Sequence, residues 1–407
     1  MTVNEAFLNC ISASLRGGSC DLTLAPDDWR PLLQLAGEQK LLPMVYEAVR
    51  GTPAFAAAPE EVRTAARLQT MQEAAAQAVH TEAFLQLYRA LRAEGLAPVV
   101  VKGIVCRARY PQPDLRPSGD EDLYLAPEEM PRFHAVLLRA GFVLTEPERD
   151  YRTAHEARYV QPHTGLVVEG HWALFPTEYE VYTALNAQLT GLEERAQDWE
   201  TGGVTLRIPD PSDHLIFLLL HAFKHFVSSG VGVRQLCDIA LWMNYYGVQI
   251  DWPRVRTALC ATRSEGFAAA VMDAGMRWFG LDRAAAHIPA DWPVLDSAPL
   301  LDDALSGGVY GSADMTRKHS CTITIRAADQ AHRGGAGRAS LRAALFPGRD
   351  VMANWYPYVA RCPALLPAAW AQRIWRYLRT RGKDTSAQGS LRIGAQRVEL
   401  LRQYGVL

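Results

Sequence analysis

The fold is decided by a seven-residue stretch, Gly119-Asp120-Glu121-Asp122-Leu123-Tyr124-Leu125, which joins acidic residues to a short apolar strand. On a strand, alternate residues face the same side, so Asp120 and Asp122 are expected to project together while Glu121 points away. Two carboxylates held side by side repel each other unless a cation lies between them. The stretch therefore predicts a cation site at the start of a strand.

The residues around this stretch predict a small α/β unit over 96–210. Residues 98–103 are a β-branched run that ends in Gly103, and a helix is predicted over 104–110. After the acidic strand, a helix is expected from Pro127 to Gly141. Residues 157–160 and 166–174 flank a turn-rich link at 161–165, which predicts an antiparallel hairpin.

Helical periodicity dominates the rest of the chain. Apolar residues recur at helical spacing in 29–50 and 64–94, and again from residue 211 onward, where Ser212 or Asp213 is the expected cap. A loop is predicted at 333–338 and a basic helix end at 373–381. We predict an α+β fold, predominantly helical overall. A mixed-sheet core at 96–210 is flanked by helical domains at 1–95 and 211–407, because 407 residues exceed one ordinary core.

The composition argues against a nucleic-acid-binding, secreted or membrane protein. The formal net charge of -2 gives no broad attraction to polyanions, so nucleic acid is not an expected partner. The N-terminus lacks the features of a secretory signal, and no apolar run approaches the roughly 20 residues that span a bilayer. We therefore expect a cytoplasmic protein that does not use a membrane. The seven scattered cysteines are expected to be reduced thiols. The oligomeric state is left open.

A third carboxylate is expected from the second strand of the hairpin. Glu169 lies in the run Val167-Val168-Glu169-Gly170-His171-Trp172. Hard divalent cations prefer carboxylate oxygens, and phosphate-transfer sites use such cations to neutralise phosphate charge. His171 shares a face with Glu169 and is expected to orient it, whereas Trp172 is expected in the core.

These motifs together resemble a known family. The pattern Val101-Lys102-Gly103, Tyr110-Pro111, Arg116, Asp120-Glu121-Asp122-Leu123 and Glu169-Gly170-His171-Trp172 is similar to the uncharacterised nucleotidyltransferase family of the DNA polymerase β-like superfamily. The run at 220–225, with Arg234 and 238–240, resembles the helical region of that family. The resemblance extends over about 30–250 and weakens beyond.

The resemblance implies a nucleotidyltransferase that uses Mg²⁺ or Mn²⁺ and a nucleoside triphosphate. It implies a peptide or small-molecule natural product as acceptor, through a hydroxyl group. Asp120 and Asp122 would bind the metal ions, and Glu169 would hold the catalytic metal and help to deprotonate the acceptor. Two departures from the superfamily pattern stand out. Lys102-Gly103 replaces the usual Gly-Ser, and the third acid is glutamate rather than aspartate.

Six further residues are candidates for nucleotide binding. Lys102 and Gly103 would cradle the triphosphate with a point charge and a backbone amide. Arg116 would pair bidentately with phosphate oxygens, with an ordinary surface arginine as the alternative. His221, Lys224 and His225 would form a polar helix face over the site that binds phosphate or base. The alternative is a helix that packs on the α/β unit with hydrogen-bonded histidines. Zinc is disfavoured because no glutamate follows His221.

Two other functions remain open at this point. The same metal site could transfer a phosphoryl group to a peptide rather than a nucleotidyl group. A degenerate core could instead act as a non-catalytic nucleotide-binding or antitoxin-like protein, a reading that the missing Gly-Ser motivates. The three carboxylates favour the enzyme.

Overall fold

The computed structural model describes residues 1–147, 150–152, 154–307, 315–334, 346, 348–349, 352–353, 356–380 and 387–407. The predicted loop at 333–338 and the predicted basic helix end at 373–381 lie partly outside these residues. Among the described helices, none is both long and apolar enough to cross a membrane.

The N-terminal stretch is helical, as predicted. Its helices are α1 (Val3–Leu15), α2 (Trp29–Glu38), α3 (Leu42–Val49), α4 (Pro53–Ala56) and α5 (Glu60–Ala93). The predicted apolar stripe of α5 is buried at Phe84, Leu87, Tyr88 and Leu91. Tyr88 then ties this helix to the sheet, because its hydroxyl donates to the Pro98 carbonyl at 2.8 Å and accepts from the Arg207 amide at 2.9 Å.

The described strands form one mixed, seven-stranded sheet. They are β1 (Val99–Val100), β2 (Glu121–Tyr124), β3 (Val143–Leu144), β4 (Glu156–Val160), β5 (Val167–His171), β6 (Gln197–Thr201) and β7 (Val204–Ile208). Their order across the sheet is β3-β4-β5-β2-β1-β7-β6. The short helices α6 (Ile104–Arg107), α8 (Glu180–Ala187) and α9 (Leu192–Arg195) connect strands, and α7 (Met130–Arg139) follows β2.

The register of the sheet confirms the predicted hairpin. Strands β4 and β5 pair antiparallel from Val160 opposite Val167 to Glu156 opposite His171. Strand β2 lies on the other side of β5 and runs parallel to it, while β1 pairs antiparallel with β2 and parallel with β7. The acidic strand is therefore central in the sheet, with β5 and β1 as its two neighbours.

The C-terminal part is helical too. It contains α10 (Pro211–Val227), α11 (Val233–Tyr246), α12 (Trp252–Ala261), α13 (Glu265–Trp278), α14 (Ala298–Gly307), α15 (Met315–His332), α16 (Pro357–Arg361), α17 (Leu366–Thr380) and α18 (Ala387–Gln403). The cap of α10 differs from the prediction. Asp210, and not Ser212 or Asp213, accepts the amides of residues 212 and 213, because Pro211 occupies the first helical position.

One large apolar core extends through most of the described chain, and smaller clusters in the C-terminal part lie apart from it. The large core includes buried residues from Ala6 in α1 to Val406 near the C-terminus, and it contains both the sheet and the helices around it. The α+β, predominantly helical fold is thus confirmed. The division into three domains at 1–95, 96–210 and 211–407 stays a prediction.

Candidate active site

The three predicted acids converge at the centre of the sheet. Asp122 on β2 and Glu169 on β5 are direct neighbours in the register, and Asp120 immediately precedes β2. Glu121 faces the other way and is 1% exposed. The two-residue period of the strand therefore separates the acids into a front face with Asp122 and a back face with Glu121.

The front face opens into a cavity of about 170 Å³. Its lining includes seven of the predicted site residues: Lys102, Asp120, Asp122, Glu169, His221, Lys224 and His225. His171 lines it as well. Residues more than 100 positions apart are thus brought together around one space, with the sheet on one side and α10 on the other.

Lys102 lies between the two aspartates. Its Nζ is 2.9 Å from Asp122 Oδ2 and 3.4 Å from Asp120 Oδ1. Burial alone would raise the pKa of Asp122, but the ammonium of Lys102 and the imidazole of His171 outweigh it and lower that pKa well below its usual range. Asp122 is consequently ionised and available as a ligand at neutral pH.

Glu169 has a different electrostatic environment. Burial raises its pKa to about 7, and the charges of Asp122 and Asp120 act in the same direction. On its outer side the Arg158 Nε lies 3.4 Å from Glu169 Oε1. With these neighbours, the Glu169 carboxylate is readily protonated unless a further cation binds in the cavity.

The donor set fits a divalent cation. Asp122, Glu169 and His171 each place one ligand atom within 4.8 Å of the others. His171 Nε2 is 3.4 Å from Asp122 Oδ1 and 3.8 Å from Glu169 Oε2. Both ring nitrogens of His171 are buried, and neither has a hydrogen bond of good geometry to a described residue. Buried polar atoms normally have a partner, and a cation bound among these side chains would supply one.

Glu121 organises the turn behind the site. Its carboxylate accepts the Ile104 amide at 2.8 Å and the Arg107 Nη1 at 2.9 Å. It lies so close to Gly103 that a Cβ at that position would be 1.9 Å from Glu121 Oε2. Gly103 also has a φ of +61°. Glycine is therefore required at the turn, although Gly103 itself is not among the residues that line the cavity.

Arg116 is placed differently from the expectation. It is 1% exposed, its Nε donates to Asp238 Oδ1 at 3.0 Å, and its Nη2 pairs with Asp238 Oδ2. Its Nη1 donates to the Ser118 hydroxyl. Neither the surface alternative nor a phosphate contact agrees with this placement, because the guanidinium is buried and its donors are engaged by the protein. Arg116 instead anchors the loop that leads to Asp120.

Helix α10 supplies the opposite wall. His221 and His225 are packed edge to face at 4.7 Å, and the Gln235 amide donates to His221 Nδ1 at 3.1 Å. Burial lowers the pKa of both histidines well below the usual value, and Lys102 and Lys224 add to the effect. Neutral imidazoles beside one lysine form this wall. The helix-packing alternative is compatible with the same contacts.

Three residues that line the cavity were not predicted: Glu156, Leu174 and Phe217. Burial would raise the pKa of Glu156, but the hydrogen bond to His155 and the nearby His171 lower it to about 2. Its position could have been found, since a hairpin closed at residues 160 and 167 places residue 156 opposite 171. The apolar pair has no signal that separates it from core residues.

Comparison with known proteins agrees with this geometry. A family model described as "Uncharacterised nucleotidyltransferase" matches residues 25–280. Searches of curated proteins and of solved structures return no match. Because the family match covers more than half of the 407 residues and contains every side chain of the cavity, the chain belongs to the uncharacterised nucleotidyltransferase family and is a transferase enzyme.

Proposed function

We propose that this enzyme transfers a nucleoside monophosphate from a nucleoside triphosphate to a hydroxyl group of a peptide or small-molecule acceptor. The observation that carries the proposal is the pairing of Asp122 with Glu169 across two central strands, in one cavity with Asp120 and Lys102. Mg²⁺ or Mn²⁺ held by Asp120, Asp122 and Glu169 would neutralise the charge on the reacting phosphates.

Each side chain of the cavity has its own role in the proposed reaction. The acceptor oxygen forms a bond to the α-phosphorus, the bond from that phosphorus to the bridging oxygen breaks, and pyrophosphate leaves. Glu169 accepts the hydroxyl proton. Lys102 offers a positive charge to the triphosphate, and Lys224 with the neutral histidines His221 and His225 contacts phosphate or base from the α10 wall.

His171 adds a nitrogen donor to the site. Imidazole is a common ligand of transition metals, whereas Mg²⁺ prefers oxygen. If His171 joins the coordination, Mn²⁺ should support activity at least as well as Mg²⁺. If it only orients Asp122 and Glu169, Mg²⁺ suffices.

The position of a radioactive phosphate tests the proposed reaction. The enzyme is incubated with divalent cation and each of ATP, GTP, CTP and UTP, labelled at either the α- or the γ-phosphate, in the presence of peptide and small-molecule extracts. We expect transfer of the α-label only. Asp122→Asn should reduce transfer by at least about 100-fold, because it removes a charged metal ligand. The exposed Asp114→Asn is the matched control and should retain activity.

The other outcomes identify the alternatives. Transfer of the γ-label alone would assign phosphoryl transfer to the same site. Nucleotide-dependent thermal stabilisation without transfer of either label would support a non-catalytic nucleotide-binding protein. Full transfer by Asp122→Asn would reject the site itself.

A further inference from the structure

Lys102 contacts the same oxygen atoms that a metal ion would use. Its ammonium lies 2.9 Å from Asp122 Oδ2, while the second oxygen of Asp122 faces His171 Nε2 at 3.4 Å. The Lys102 side chain is only 8% exposed, and it also lies 3.4 Å from Asp120 Oδ1. Both oxygens of Asp122 thus face nitrogen atoms of the protein.

The charge balance explains why a lysine is placed there. Asp120, Asp122, Glu156 and Glu169 all line the cavity, together with only two described lysines, Lys102 and Lys224. Repulsion among buried carboxylates is costly, and a cation at hydrogen-bond distance relieves it. A divalent ion that binds Asp122 through Oδ2 must therefore replace an ammonium that already stabilises this oxygen.

We propose that Lys102 is an internal counter-ion of the metal site. Its ammonium competes with the divalent cation for Asp120 and Asp122 until it binds the triphosphate instead. This inference rests on the proposed function, since it takes the acids as metal ligands and the triphosphate as the competing anion. Its consequence is that metal and nucleotide bind cooperatively.

Linkage determines the form of that cooperativity. If nucleotide binding removes Lys102 from the carboxylates, the affinity for metal rises by the same factor by which metal raises the affinity for nucleotide. Lysine suits this role because its flexible stem and compact charge can move between a carboxylate and a phosphate. A lysine with a purely structural role would have the opposite signature, since its removal would disorder the acids and weaken metal binding.

Binding of Mn²⁺ to the full-length protein without nucleotide tests the inference. Affinities are measured by calorimetry and by the spectroscopic signal of free Mn²⁺ for wild type, Lys102→Met and Lys102→Gln. We expect both neutral variants to bind Mn²⁺ at least about tenfold more tightly than wild type, because a competing charge at contact distance has been removed. Lys102→Arg, which keeps the charge, should remain within a few-fold of wild type.

Lys224→Met is the matched control. It removes the same charge from the same cavity, but Lys224 lies on α10, on the opposite wall, and is not within ion-pair distance of Asp120 or Asp122. We expect its affinity for Mn²⁺ to change by less than about threefold, since the effect of a charge falls with distance. An equal gain in Lys224→Met and Lys102→Met would show that net charge alone matters, and would overturn the inference.

Adding α,β-methylene analogues of the four nucleotides completes the test. In wild type the analogue that binds should tighten Mn²⁺ binding, whereas in Lys102→Met this gain should be largely lost. Unchanged or weaker Mn²⁺ binding in folded Lys102→Met and Lys102→Gln would overturn the inference while leaving the proposed function intact. Failure of the proposed function is recognised separately, because Asp122→Asn would then bind Mn²⁺ as wild type does.

Discussion

Single residues on the two faces of strand β2 have separate tasks. Asp122 faces the cavity, and Glu121 faces the turn at Gly103 and the first amide of α6. One position along the strand therefore distinguishes a candidate metal ligand from a residue that holds the turn in place. Gly103 and Glu121 are in such close contact that even a methyl side chain at residue 103 would disturb this turn.

Replacing Gly103 with alanine should destabilise the protein. The added Cβ would lie 1.9 Å from Glu121 Oε2, on a backbone with a φ of +61°, so either the carboxylate or the turn must move. We expect the free energy of unfolding, measured by urea denaturation, to fall by about 2 kcal/mol or more.

Gly119→Ala is the control for this prediction. A Cβ at Gly119 would have no atom within 4 Å, and its φ is not positive. The substitution should change the free energy of unfolding by no more than about 0.5 kcal/mol. Equal losses in the two variants would contradict the assigned role of the contact with Glu121.

At the scale of elements, buried ion pairs join the loop at 116–119 to the helices around it. Arg107 on α6 donates to Glu121 and to the Ser118 hydroxyl, at 2.9 Å and 2.8 Å. The Ser118 amide donates to Gln77 Oε1 on α5 at 2.7 Å, and Arg116 is held by Asp238 on α11. The loop that leads to Asp120 is thus held from three helices.

Removing the positive charge of Arg107 should be costly. Arg107→Met leaves the carboxylate of Glu121 buried without its cation, and burial already raises the pKa of Glu121. Because an uncompensated buried charge is destabilising, we expect the free energy of unfolding to fall by about 3 to 5 kcal/mol.

An exposed ion pair provides the comparison for Arg107→Met. The Arg139 and Glu94 side chains are 58% and 53% exposed, with Arg139 Nη2 at 2.8 Å from Glu94 Oε1. Arg139→Met should cost less than about 1 kcal/mol in the same denaturation experiment, since water screens exposed pairs. A similar cost for both variants would argue against the anchoring role of the Arg107 pair.

At the scale of the whole molecule, α10 connects the helical C-terminal part to the sheet. His214 donates from Nε2 to the Val101 carbonyl at 2.7 Å, next to Lys102, and its ring lies 4.0 Å from that of Trp242 on α11. Further along the same helix, His221, Lys224 and His225 line the cavity. The contact at His214 thus places the α10 wall against the turn after β1 that carries Lys102.

His214 should make the stability of this junction depend on pH. Burial lowers its pKa to about 3 from an ordinary value of 6.5. The unfolded chain therefore binds one more proton between these two values, and stability falls as the pH falls through this window. At pH 4 we expect this group to account for on the order of 3 kcal/mol of the lost stability.

His214→Gln isolates that contribution. Its amide can still donate to Val101, but it does not titrate, so the variant should lose less stability than wild type between pH 7 and pH 4 in urea denaturation. The exposed His163→Gln should follow the wild-type curve. Parallel curves for wild type and His214→Gln would exclude His214 as the source of the acid sensitivity.

Local patterns in the sequence predicted much of the fold and of the sheet side of the site. The alternation along residues 120–122 separated Glu121 from its neighbours, and the turn at 161–165 predicted the hairpin that presents Glu169. Helical periodicity predicted α5 and α10. These features depend on residues close together in the chain, where spacing alone determines which side chains share a face.

The tertiary structure alone decided which distant residues meet. Arg116 is 122 positions from Asp238, and no spacing in the chain indicates that its guanidinium would be buried in that pair. Leu174, which follows β5, and Phe217 on α10 likewise reach the cavity only through long-range packing. The sequence determined the acids and the face on which they lie, because local backbone geometry sets that face. The partners of those acids were decided by long-range packing and charge pairing, which depend on how the whole chain folds.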